Sequence, residues 1–279
     1  MSEFEPGRLV RVALAVQRLV APNPSLLTGP GTNTYLLGDP PSIVIDPGPA
    51  DETHIAAIER AAPALTHIFA THTHPDHSPA AAALARVTGA QLIGRRAPDD
   101  GLQDLSLAPD IEPARNQIFI LPGGLRLRAI DTPGHASNHV CYLLENEGML
   151  FSGDHILDGV TPVIIPPDGV MAHYLESLRR LGQEALRTIA PGHGRVLQAP
   201  HAVIDGIIAH RERRETKVRS ALEALGAATL DQLLPRAYDD VRAELHRLAR
   251  FSLEAHLIKL LQDGVAERDG STWHARISK

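Results

Sequence analysis

The chain has one cysteine, Cys141. No intramolecular disulfide can form, and the absence of further thiolates argues against a closed structural zinc site. No run of 18 apolar residues occurs, so no membrane span is expected. The N-terminal stretch has early acids and lacks an apolar core followed by a small-residue cleavage site. A secretory signal is not read there, and a cytoplasmic location is the expectation. Positive charge is not in excess: 27 Lys and Arg face 33 Asp and Glu, a net charge of −6 with His neutral. That balance does not mark a general polyanion binder, although a local basic patch is compatible with it. Internal repeats and low-complexity segments are absent. What remains is a chain of 279 residues, 43% hydrophobic and 22% charged. It is ordinary for a soluble globular protein of one large domain, or a domain with a small appendage.

Histidine is plentiful, with 15 residues, and position matters more than number. "THTHPDH" places His72, His74, Asp76 and His77 within six positions. Read as a strand end, period-two alternation points His72 and His74 the same way. Pro75 stops the ladder because it has no N–H to give. Asp76 and His77 then occupy the turn into "SPAAAALARVTG", a predicted helix with Ser78 as N-cap and Pro79 at its first position. A chance match to this pattern in a chain of this composition has a probability of roughly 10⁻³ to 10⁻².

The first two-thirds alternate strand-like and helix-like runs. "RVALAVQRLV", "NTYLLG", "SIVIDPG", "LTHIFATH", "QLIG", "NQIFIL", "LRLRAIDTPG", "HVCYLLEN", "GMLFSGD" and "TIAPGHG" read as strands. "DETHIAAIERAA" and "MAHYLESLRRLGQ" read as helices. The mixture predicts two sheets covered by helices, an α/β (α+β) fold in residues 1–199. Residues 200–279 change character: three helices are followed by a hairpin turning at Asp269–Gly270, which looks like a winged helix. This part is near neutral, so the first two-thirds carry the acidic excess.

Three further segments end a strand with a ligand-type residue beside glycine: His135 in "TPGH", Asp154 in "SGD" and His193 in "PGHG". Glycine there permits a sharp turn and close backbone approach. Five imidazoles and two carboxylates are too many for one tetrahedral ion and suit two. His72, His74 and His135 are assigned to one ion, and Asp76, His77 and His193 to the other, with Asp154 bridging. The donors suit two Zn²⁺, or Mn²⁺ or Fe²⁺ in their place. Such a pair makes a hydroxide available at neutral pH, and its residual positive charge favours an anionic or polarised substrate.

In this order, "THTHPDH", "TPGH", "SGD" and "PGHG" resemble the metallo-β-lactamase superfamily over residues 10–200. The resemblance implies an αββα sandwich with a two-metal site at one edge. "NPSLLTGPGTNTYLLG", "IDPGP", the "HRERRE" helix and the winged helix look like the lactamase-B-like protein 2 group, which implies cleavage of single-stranded RNA. Asp46 in "VIDPG" is then expected beside the metals, orienting a ligand histidine, with a turn cap as its plainer role. Asp76 and His139 are the expected catalytic residues, His139 as a proton donor to a leaving group. Thr32 and Asn33 could line the site, and His173 and Tyr174 could reach it from a helix. "HRERRETKVR" offers a basic face, or a solvated face laced with ion pairs. Trp273 offers a stacking surface, or core packing.

The leading expectation is therefore a two-metal hydrolase of phosphodiesters in single-stranded RNA. The alternative is a thioester, lactone or lactam hydrolase, glyoxalase II-like or β-lactamase-like, acting on an anionic small molecule. An exported β-lactamase fits less well without a signal peptide. A nucleic-acid-binding protein with a structural metal domain is the third reading, and an open Asp/His site speaks against it. No membrane partner is expected. The winged helix could equally serve as a homodimer contact or a pocket wall.

Overall fold

The computed structural model describes residues 3–276. The chain folds as two compact units. Among the described residues, the first comprises 3–132, 138–160 and 184–200; the second comprises 133–137, 161–183 and 201–276.

In the first unit, one six-stranded sheet runs in chain order: β1 (Val10–Ala13), β2 (Val16–Val20), β3 (Asn33–Gly38), β4 (Pro41–Ile45), β5 (His67–Phe69) and β6 (Gln91–Ile93). The second sheet holds β7 (Ile118–Leu121), β8 (Leu125–Asp131), β9 (Val140–Leu144), β10 (Met149–Gly153), β11 (Thr188–Pro191) and β12 (Leu197–Gln198), again in chain order. Alternation explains the packing. Tyr35, Leu37, Ile43 and Ile45 point into one apolar layer with Leu127, Ala129, Tyr142, Leu144 and Phe151. Leu36, Val44 and Ile68 point the other way, into a second layer with α1 (Glu52–Ala61) and α2 (Ala80–Thr88). Phe69 anchors the inner layer, meeting Phe119 and Tyr142 edge-on at 5.3 and 5.1 Å. No helix among the described residues is long and apolar enough to cross a membrane.

Three local expectations need correction. "RVALAVQRLV" is not one strand: the chain turns at Leu14–Ala15, and β1 pairs antiparallel with β2. "LTHIFATH" forms only the three residues of β5, so His72 and His74 lie in the loop beyond it. Ser78 does not cap α2. Pro79 holds the cap position, and the Ser78 hydroxyl donates to Asp104 Oδ2 at 2.6 Å.

Strand direction places the chemistry. β4, β5 and β6 are parallel, as are β10 and β11. Their carboxyl ends therefore open into loops at a common edge, the usual place for ligands in open α/β sheets. Asp46, residues 70–77, Asp154 and His193 all occupy such loops.

The second unit holds α3 (Met171–Leu181), α4 (Pro200–Leu225), α5 (Leu230–Ala237) and α6 (His246–Gln262). A three-stranded sheet joins them: β13 (Ala227–Ala228), β14 (Ala266–Asp269) and β15 (Thr272–Ala275). Its core gathers Val218, Leu222, Leu233, Leu253, Leu257 and Trp273. Trp273 is thus a core residue, covered by the Arg268 guanidinium at 4.9 Å. The basic run on α4 is largely spent internally. Arg211 is buried and donates to the Pro162 carbonyl. Arg214 is buried, pairs with Asp240 and lies 4.2 Å over Tyr238.

Candidate metal centre

His77 is fully buried, and its Nδ1 lies 3.0 Å from Asp46 Oδ2. A carboxylate can only accept there, so Nδ1 carries the proton and Nε2 presents its lone pair. That lone pair faces Asp76 Oδ2 and Asp154 Oδ1, each 3.3 Å away. His193 repeats the arrangement. Its Nδ1 meets the Gly31 carbonyl at 3.2 Å, and its Nε2 lies 3.2 Å from both Asp76 Oδ2 and Asp154 Oδ1. Four electron-rich atoms thus converge, and only protons or a cation can reconcile them. A tetrahedral ion with bonds of about 2.0–2.1 Å has ligand–ligand edges of about 3.3–3.4 Å, close to these separations.

The acid–base balance carries the same message. Burial disfavours a charged His77, but Asp76, Asp154 and Asp46 outweigh it and hold the imidazole well above its usual range. Burial likewise opposes a charged His193, yet Asp154 and Asp76 raise it to about 9. Burial would raise Asp76 and Asp154, but the neighbouring imidazoles hold both below the usual carboxylate range. Without a metal, the cluster must take up protons to balance its carboxylates.

His72 continues the cluster. Its Nε2 lies 2.9 Å from His74 Nδ1, and its Nδ1 is 3.0 Å from the Thr71 hydroxyl. His72, His77 and Asp154 offer ligand atoms within 4.8 Å of one another, as do Asp76, His77 and His193. His135 belongs to the segment 133–137 of the second unit, where its Nδ1 meets the Val163 carbonyl at 2.9 Å. This repeats the Nδ1-to-carbonyl arrangement of His193.

Glycine makes the convergence sterically feasible. A Cβ at Gly192 would stand 2.6 Å from Asp154 Oδ1 and 2.7 Å from His77 Cε1. At Gly153, where φ is +48°, it would stand 2.4 Å from the Thr71 hydroxyl.

The expected supporting residues fare unevenly. Asp46 stands beside the cluster. It accepts from the Thr71 amide and hydroxyl at 2.7 Å each as well as from His77, and holds a left-handed φ of 50°. Thr32 donates to Asp76 Oδ2 at 3.1 Å. Asn33 does not face a ligand. It is buried, and its amide donates to the carbonyls of Pro191 and Gly194, both at 2.9 Å, bracketing His193. His139 is wholly buried, stacked 5.0 Å from His72, with Nδ1 2.8 Å from the Thr132 hydroxyl. A leaving-group acid must reach the substrate, so the proton-donor expectation gives way to a packing role behind His72. Tyr174 is also wholly buried, its ring 5.4 Å from the Arg211 guanidinium within the second unit, and does not line a cleft. His173 is exposed on α3. Sequence reasoning missed Thr71, which braces both Asp46 and His72, and Arg18, a buried cation whose guanidinium donates to Gly194. "ATH" offers no signal for the first. An inward-facing Arg18 is masked because each face of β2 carries both an apolar and a polar residue.

Comparison with known proteins agrees with this architecture. Residues 27–193 match the metallo-beta-lactamase superfamily, and residues 229–273 match the beta-lactamase associated winged helix domain. The beta-lactamase-like protein 2 homolog of Drosophila melanogaster is 31% identical over 277 residues, covering 92% of this chain and 91% of that protein. An atrochrysone carboxyl ACP thioesterase of Emericella nidulans is 30% identical over 247 residues, covering 85% of this chain and 76% of that one. Among solved structures, a metallo-beta-lactamase family protein from Thermus thermophilus shares the fold with a TM-score of 0.79 at 22% identity. The match covers 95% of this chain and all of that one. Members of this superfamily are generally hydrolases that hold divalent metals at His/Asp clusters of this kind. With more than half its length matched and a full-length relative above 30% identity, the chain belongs to the metallo-beta-lactamase superfamily and carries a C-terminal winged-helix domain.

Proposed function

We propose that the chain is a hydrolase holding two divalent ions, with zinc the first choice and manganese or iron alternatives. Within the first unit, His72 and His74 would hold one ion and Asp76, His77 and His193 the other, with Asp154 available to both. The carrying observation is the convergence of two imidazole nitrogens and two carboxylate oxygens at 3.2–3.3 Å. Bound there, the metals would supply Lewis acidity and a hydroxide at neutral pH. The chain's own residues aim the ligands. Asp46 fixes the tautomer of His77, the Gly31 carbonyl fixes that of His193, and Thr32 steadies Asp76.

The substrate we favour is an acyl thioester or a similarly activated carbonyl compound with an apolar acyl part. Two exposed leucine pairs support this. Leu26 and Leu27 belong to the loop that leads into Thr32, the partner of Asp76. Leu102 and Leu105 flank Asp104, whose amide donates to the Thr73 carbonyl beside His74. Nearby cations are already engaged, Arg95 with Asp131 and Arg96 with Glu112. The thioesterase relative points the same way. Single-stranded RNA is the second reading, favoured by the winged-helix match; the internal engagement of Arg211 and Arg214 weakens it. The order of the two readings is thus the reverse of that suggested by the sequence.

The deciding experiment reconstitutes the metal-free protein with Zn²⁺, Mn²⁺ or Fe²⁺. Each form is given a medium-chain acyl thioester and a fluorescent single-stranded RNA, beside a His77→Ala control. Thioester turnover lost in the control, with RNA intact, supports the first reading. RNA cleavage lost in the control replaces it with the second. Turnover that survives in His77→Ala would remove the metal-centre assignment.

A further inference from the structure

Arg18 lies mid-strand in β2, paired with Tyr35 of β3, on the same face as the core residue Val16. Its side chain is 2% exposed. Removing a guanidinium from water costs several kcal/mol unless its donors are met, so a residue that only filled space here would be aliphatic. One terminal nitrogen donates to the Gly194 carbonyl at 3.1 Å. The other donates to the Glu3 carbonyl at 3.1 Å and lies 3.7 Å from the Glu3 carboxylate. The Phe4 ring packs 4.7 Å from the same guanidinium. Glu3 also pairs with Arg195 at 2.7 Å, so the N-terminal segment ties down the two residues that follow His193, Gly194 through Arg18 and Arg195 directly.

The turn is clamped at the carbonyls of Pro191, Gly192 and Gly194, on either side of His193. Asn33 N donates to the Gly192 carbonyl at 2.7 Å. The Asn33 amide and Arg18 both donate to the Gly194 carbonyl. The Tyr35 hydroxyl and the Asn33 amide hold the Pro191 carbonyl. Arg18 is the member of this set that brings a charge, and a charged donor makes the stronger hydrogen bond.

We propose that Arg18, held by Glu3 and Phe4, is a positioning residue for His193. It fixes the turn that aims His193 Nε2 at Asp76 and Asp154, and so sets the affinity for the ion those residues share. The proposal rests on reading His193 as a metal ligand.

The test titrates metal-free wild type, Arg18→Met, Arg18→Lys and Glu3→Gln with Zn²⁺ against a chelator, and with Co²⁺ followed by its visible absorption. Thermal unfolding of each metal-free protein is recorded alongside. In Arg18→Met, one of the two ions should bind about 10- to 100-fold more weakly, with its cobalt bands shifted and the other ion unmoved. Arg18→Lys should recover part of the loss, because an ammonium lacks the planar fork that serves two acceptors at once. Glu3→Gln changes a half-exposed surface residue, so folding is not at stake, and it should move the same ion in the same direction by severalfold. Wild-type affinities and spectra in Arg18→Met and Glu3→Gln would overturn the proposal, whatever the unfolding temperature. If Arg18→Met does not fold, Glu3→Gln decides. Wild type that takes up no ion would overturn the metal-centre reading, and this proposal with it.

Discussion

Each unit contains a histidine that is fully buried and faces a carboxylate, and the two behave in opposite ways. In the first unit, His77 meets Asp46 at 3.0 Å; in the second, His256 meets Glu215 at 3.4 Å. Burial works against the charged imidazole in both. His77 is nevertheless held well above its usual range, because Asp76, Asp154 and Asp46 surround it. His256 is pushed down to about 4, because burial prevails over Glu215 and the cations Arg211 and Lys259 add to it. Glu215 is already matched by Lys259 Nζ at 2.8 Å. A buried histidine–carboxylate contact therefore does not mark a metal site. An imidazole held charged by several converging carboxylates is the stronger sign, and among the described residues His77 has that setting and His256 does not.

The largest effect should come from breaking that convergence or its geometry. Gly192→Ala drives a Cβ into Asp154 and His77, and His77→Ala deletes a ligand. Each should weaken metal binding by more than the ~10- to 100-fold typical of outer partners, measured by chelator competition. His256→Gln, by contrast, should leave metal content at the wild-type level. Asp46→Asn is the finer cut. Asparagine tolerates the left-handed φ of this position, but it removes the charge that holds the His77 tautomer. Metal affinity should fall by about 10- to 100-fold with little change in folding. An Asp46→Asn protein with wild-type affinity would mean that the orientation of His77 does not depend on that carboxylate.

The same contrast explains what could be read from the chain alone. Ligands clustered in "THTHPDH", and ligands set beside the glycines of "SGD" and "PGHG", were legible because loops concentrate chemistry in short segments. In the structure Asp76, His77, Asp154 and His193 converge at 3.2–3.3 Å. Less visible was where strands stop. β5 ends at Phe69, so His72 and His74 owe their shared direction to the loop rather than to alternation. Depth was least visible. Nothing in "GHASNH" says that His139 is sealed behind His72, nor in "MAHYLES" that Tyr174 lies under Arg211. In β2, Val16 and Leu19 put an apolar residue on each face and Gln17 and Arg18 a polar one on each, so no pattern there says that Arg18 points inward. Each of these depends on what packs against a face, which periodicity does not report.

Smaller effects sharpen the comparison on the side of the second unit. The folded pKa of His256 lies near 4 and the unfolded one near 6.5, so between these values the unfolded chain binds more protons. Stability from this group is then present above pH 6.5 and is lost as pH falls toward 4. From pH 7 to pH 5 the loss should be about 2 kcal/mol. It should appear as a steeper drop in the unfolding temperature of wild type than of His256→Gln, and parallel pH profiles would show that Glu215 keeps the ring charged in the fold. The least effect belongs to the outer surface of α4. Arg219 pairs there with Glu223 at 2.7 Å, both side chains at least half exposed. Solvent screens such a pair and its two long side chains must be ordered to form it, so Arg219→Ala should change unfolding stability by less than about 0.5 kcal/mol. Arg214→Ala, five residues earlier on the same helix, removes a buried guanidinium, takes the side-chain donor from the Ala237 carbonyl and leaves Asp240 to Lys217 alone. It should cost several times more in the same denaturant titration. Equal costs would show that the difference between the two positions on α4 rests on helix propensity rather than on buried charge.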